Sequence, residues 1–246
     1  ENVPFEVPRG EELTTRLSSV LEVIYLIFNE GYSATAGDDW MRPALCEDAL
    51  RLGRVLAGLM PDEPEVHGLV ALMEIQASRS RARVGPAGQP VLLLDQNRAL
   101  WDRLLIGRGL DALSRADRLG GAPGPYALQA AIAACHARAR TADETDWRQI
   151  VALYRELMRI TASPVVALNH AAAVAMSEGA EAGLSLIEGV YIDGALDNYY
   201  LLQASRADLL RRLGRGDEAR AAYKKALSLT TNQVEQRYIQ RRLAEL

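Results

Sequence analysis

From Gly124 to the end, the chain is a series of short helical stretches separated by clusters of only two to seven Gly, Pro, Thr or Asp residues. This pattern constrains the fold more than any other. Segments this short cannot bury an apolar face alone, and connections this short force neighbours to run antiparallel. The predicted helices are 125–139, 146–160, 164–178, 180–190, 198–213, 216–230 and 232–245, which read as stacked helical hairpins. Aromatic residues are only 6% of the 246, so Leu, Ala, Ile and Val must supply the core. That favours close-packed helices over a β-sandwich.

The first half is also helical. Leu13, Leu17, Val20, Leu21, Ile24 and Phe28 form one stripe, with Gly31 expected to stop the helix. Residues 33–40 read as a loop. Further helices are expected from Arg42-Pro43 to Met60, and from Pro64 to about Arg81. Residues 83–94, with Gly-Pro and Gly-Gln-Pro between short apolar pieces, read as a loop or one small β-ribbon. Asp95 is expected to cap a helix that contains Trp101 and ends at Gly120-Gly121. The fold class is therefore all-α, an α-α superhelix of antiparallel hairpins. Residues 1–123 form its degenerate N-terminal part and 124–246 its regular part, in one continuous unit.

The net charge is -4, which excludes a general nucleic-acid wrapper. Residues from Arg206 onward carry ten basic and five acidic groups, against 18 and 27 before them. This excess fits the solvated face of a terminal helix or a docking patch. Cys46 and Cys135 have no metal or disulfide spacing, which points to a reducing cytosol. The first ten residues lack a basic region and an apolar core, so no signal peptide is expected. No segment is long and apolar enough to suggest a membrane span.

Leu213-Gly214-Arg215-Gly216-Asp217-Glu218-Ala219, followed by Tyr223 and Ala226, resembles the second half of a tetratricopeptide repeat. Ala207 is the matching small residue of the preceding helix. Here Ala207, Ala219 and Ala226 leave room for partner helices and Tyr223 fills the groove between hairpins. Tyr154, Ile187 and Tyr223 recur at the spacing of such repeats.

Several further segments resemble one family when taken together: Tyr25-Leu26-Ile27-Phe28-Asn29-Glu30-Gly31-Tyr32, Met60-Pro61-Asp62-Glu63-Pro64, Asp95-Gln96-Asn97-Arg98 with Trp101-Asp102-Arg103, Gly124-Pro125-Tyr126, and Ser163-Pro164-Val165-Val166-Ala167-Leu168-Asn169. Their order is similar to the C-terminal, tetratricopeptide-like extension of one group of extracytoplasmic-function RNA polymerase sigma factors. The resemblance implies a cytoplasmic regulatory or scaffolding module. Its partners would be the sigma domains in cis, the RNA polymerase core or a signalling protein. Nothing in the chain looks like the promoter-reading domains, so no direct nucleic-acid contact is expected. A small-ligand sensor that relays a signal to the sigma domains is the alternative.

The richest polar cluster is Asp95, Arg98, Trp101, Asp102 and Arg103. Arg98 and Asp102 have the spacing of a helical ion pair, and Trp101 is the residue type that anchors interfaces. The competing reading makes Trp101 a core residue, because Leu100, Leu104 and Leu105 flank it. Tyr25, Asn29, Glu30 and Tyr32 are expected to tie a helix end to its neighbours. Asn169 is placed to project into a concave groove. Cys135 and His136 are adjacent on a helix and point about 100° apart, so they form no dyad. No catalytic constellation, cofactor loop or metal set is expected.

Overall fold

The computed structural model describes residues 11–34, 41–86 and 88–246. The first ten residues, and most of the 33–40 loop with Asp38 and Asp39, lie outside the described residues. The first four helices are α1 (Glu11–Tyr32), α2 (Pro43–Leu59), α3 (Pro64–Ala77) and α4 (Arg103–Leu119). A proline opens α2 and α3, where its missing N–H has no helical partner to lose. Leu17, Leu21, Ile24 and Phe28 of α1 are buried. Val20, expected on the same stripe, lies toward its edge and is 42% exposed.

Gly31 does not stop α1, which runs on to Tyr32. A Cβ at Gly31 would sit 2.6 Å from the Cys46 backbone N and 2.9 Å from its Sγ. The glycine therefore lets the start of α2 press against α1 and is no terminator. α3 buries nearly its whole circumference between α2, α4 and α5 (Pro125–Arg138). That accounts for the unbroken apolar run Leu69-Val70-Ala71-Leu72-Met73.

The expected ribbon at 83–94 reduces to one antiparallel bridge between Val84 and Pro90. Gly85 donates to the Gln89 carbonyl and Val91 to the Arg83 carbonyl, both at 2.8 Å. Pro86 and Pro90 have no N–H to extend the ladder. The helix expected from Asp95 ends before Gly120-Gly121 as expected but starts several residues late. The chain makes two 3-10 turns there, Leu93–Asp95 and Arg98–Leu100, before α4 starts at Arg103. Asp102, not Asp95, caps α4, accepting from the N–H groups of Leu104 at 2.9 Å and Leu105 at 3.1 Å.

Beyond α5 come α6 (Trp147–Ile160), α7 (Pro164–Ser177), α8 (Ala180–Ile192), α9 (Tyr200–Arg212), α10 (Gly216–Leu229) and α11 (Gln233–Ala244). Each packs against the next. The result is an all-α stack of consecutive helix pairs. Ala207, Ala219 and Ala226 have no exposed surface, and Tyr223 is buried beside them. Methyl groups at these contacts let helix axes approach closely, and the Tyr223 ring fills the space left with Leu202, Leu210 and Ile239.

Candidate functional site

The polar cluster at 95–103 is split by the fold. Arg98 and Trp101 point inward, whereas Asp95, Asp102 and Arg103 are exposed. The expected Arg98–Asp102 ion pair does not form, because the 3-10 turn swings Arg98 away from the side of Asp102. The Arg98 guanidinium instead donates to the carbonyls of His136 and, at 3.0 Å, Ala139, and to Thr145 Oγ1 at 3.3 Å. It thereby satisfies carbonyls at the end of α5 that have no helical partner. Burial lowers its pKa from the ordinary arginine value.

Trp101 is only 3% exposed and packs against Ala71, Leu72 and Ile75 of α3. It cannot be the partly exposed anchor that its polar neighbours suggested. The guanidinium carbons of Arg98 and Arg79 lie 4.7 and 5.8 Å from its ring centroid. Arg79 donates to the Tyr32 hydroxyl at 2.8 Å and to Gln76. Beside these two cations His136 is buried with its ring edge-on to Trp147, the centroids 5.1 Å apart. Burial, reinforced by Arg79 and Arg98, pushes the His136 pKa down to about 4. The imidazole is therefore neutral near pH 7, and the assembly ties the end of α3, the 98–101 turn, α5 and the start of α6 together as a structural lock.

Tyr25, Glu30 and Tyr32 join helices. The Tyr25 hydroxyl donates to Gln129 at 3.1 Å, Glu30 pairs with Arg42 at 2.8 Å, and Tyr32 receives Arg79. Cys46 and Cys135 are buried free thiols, and burial raises both pKa values. Neither thiol is activated for nucleophilic chemistry. Among the described residues no group of three or more His, Cys, Asp or Glu is placed to hold a metal ion. Nor is any helix there long and apolar enough to cross a membrane.

The arrangement with most capacity for recognition is a groove of about 490 Å³. α7 contributes Ala172, Ala175 and Met176 to it, α9 contributes Leu201, Ala204 and Asp208, and α11 contributes Tyr238 and Arg242. The irregular segment 92–95 reaches across from the first half of the chain and adds Leu92, Leu94 and Asp95. Asp95 thus belongs to this groove through its loop and not through a helix cap. Asn169 is exposed on α7 but does not line the groove. The smaller residues of α7 and the two arginines ending α9 line it instead. Sequence reasoning missed Leu92, Leu94, Arg211 and Arg212; two leucines in a stretch without helical or strand period were the available signal.

The other feature of the surface is apolar. Val23 and Leu26 on α1 are 56% and 58% exposed, and Val55 and Leu59 on α2 are 54% and 75% exposed. Each pair is spaced at one helical turn, so each helix presents an uncovered aliphatic stripe.

Residues 16–117 match the model of a family of unknown function, DUF6596. The matched stretch holds α2, α3 and the irregular segment, with most of α1 and α4. The chain is also similar to an uncharacterized protein, R00370, of Rhizobium meliloti (strain 1021). The two are 46% identical over 244 residues, or 99% of this chain. The chain spans 57% of the length of that curated relative.

Proposed function

We propose that this chain is a regulatory, protein-interaction module of an extracytoplasmic-function RNA polymerase sigma factor, working in the cytoplasm and modulating transcription initiation. The motif order from Tyr25 to Asn169 supports this reading by its resemblance to that group of sigma factors. A relative that shares nearly the whole of this chain and extends well beyond it is in keeping with a module joined to other domains.

The observation that carries the reading is the apolar first hairpin. The end of a helical stack normally turns a polar face to water, whereas α1 and α2 leave Val23, Leu26, Val55 and Leu59 more than half exposed. Aliphatic stripes of this kind suit burial against another protein surface. The partners proposed are the promoter-binding sigma domains and the RNA polymerase core. In this reading the module does no chemistry and does not touch DNA. It sets how the sigma domains are presented to polymerase.

In vitro transcription tests the reading. The sigma factor that carries this module is compared with Leu26→Glu and Leu59→Glu variants of equal solubility. Promoter-specific transcription should change several-fold in both. Unchanged transcription in both would remove the apolar hairpin as the regulatory contact.

A further inference from the structure

The groove between the C-terminal helices and segment 92–95 has a charge pattern of its own. Its walls are mostly aliphatic, supplied by residues such as Leu94, Leu201 and Ala204. Asp208 in it is neutralised by Arg211 at 2.7 Å, and Arg242 by Glu245 at 2.8 Å. Two charges remain. Asp95, on the loop wall, has no hydrogen-bond or ion-pair partner for its carboxylate among the described residues. Arg212, on the α9 wall, reaches only the Ala175 carbonyl at 3.4 Å and the Met176 sulfur at 3.8 Å.

An apolar trough with one unpaired anion and one unpaired cation on a different wall complements a ligand of a definite kind. The ligand has an apolar body, with a positive end and a negative end set apart from each other. A volume of about 490 Å³ lies within the range of small-molecule sites. It is too small for a folded partner. We infer that the groove binds a short apolar peptide of about three residues with both termini free, its ammonium at Asp95 and its carboxylate at Arg212. Such a peptide would bridge the irregular segment to α9 and so hold the two halves of the stack together. This site is independent of the sigma-factor reading and of the apolar hairpin.

The test uses the tripeptide Leu-Ala-Leu, its N-acetylated form and its C-amidated form, titrated calorimetrically into the whole chain. The free tripeptide should bind, and blocking either terminus should weaken binding at least tenfold. In Asp95→Asn acetylation should lose its penalty while amidation keeps it; in Arg212→Gln the reverse should hold. Ala204→Leu, which fills the trough, should abolish binding while circular dichroism shows an intact helical fold. Absence of binding by the free tripeptide at millimolar concentration would overturn the inference. So would equal binding of the three peptides, or penalties that do not follow the two variants. None of these results bears on whether the module contacts sigma domains.

Discussion

The Glu65 carboxylate, in the first turn of α3, accepts the backbone N–H of Tyr126 at 2.8 Å, and its second oxygen accepts that of Ala127 at 3.1 Å. The start of α5 is thus capped by a residue some sixty positions earlier in the chain. A Cβ at Gly124 would lie 2.3 Å from the Glu65 carboxyl carbon. Glycine there makes room for the cap. Burial pushes the Glu65 carboxyl above its usual range, and the backbone N–H groups of Tyr126, Ala127 and Gly124 partly oppose the rise. Glu65→Ala should cost about 1–2 kcal/mol, the loss of a helix cap that leaves buried donors unpaired. Gly124→Val should cost at least as much by displacing the carboxylate. Urea unfolding of both variants checks this, and unaltered midpoints would mean that the cap contributes nothing.

Acid should unfold the protein partly through His136. Its pKa falls from the ordinary 6.5 to about 4 in the folded state, first through burial and then through Arg79 and Arg98. The unfolded chain therefore binds more protons between those two values. Stability is present above about pH 6.5 and is lost as pH falls toward about 4, by about 3 kcal/mol in all. A His136→Asn variant lacks this contribution. Its unfolding free energy should fall less steeply than the parent's between pH 7 and pH 4.5. Parallel curves would contradict a neutral, buried imidazole.

Trp101→Ala should behave as a core truncation. With the indole packed under α3, the loss is about 3–5 kcal/mol, seen as an early circular dichroism melt. Any transcription defect should then disappear once folded protein is equalised. A variant that melts like the parent would restore Trp101 as a candidate contact residue.

Ala219 and Ala226 sit at helix contacts with no exposed surface. Leucine at either position should cost about 1–3 kcal/mol by overpacking. Parental melting temperatures in both variants would mean that the hairpin contact is loose enough to take an isobutyl group.

The regular half of the fold was legible because its punctuation is local. Pro125, Pro164, Gly214 and Gly216 mark helix ends within a residue or two, and the small-aromatic-small spacing of Ala219, Tyr223 and Ala226 needs only helical period to interpret. The segment around Arg98 was not legible. Its side chain bonds carbonyls forty residues later, and no local pattern announces so distant a pairing. A Trp among charges reads as surface until those charges are known to be occupied elsewhere: Arg98 on α5, Asp102 on the start of α4. Gly31 misled for a similar reason, since close approach to Cys46 and helix termination leave the same residue in the sequence. The groove depends on bringing segment 92–95 against α7 and α9, which is a property of the whole stack.

The most direct measurement mixes this chain with the separately produced promoter-binding domains of the sigma factor to which the proposal assigns it, followed by light scattering and analytical gel filtration. The proposed regulatory role predicts a discrete complex that Leu26→Glu and Leu59→Glu each weaken at least tenfold while leaving the helical melt unchanged. A chain that elutes alone at micromolar concentrations, both with those domains and with core polymerase, would contradict it.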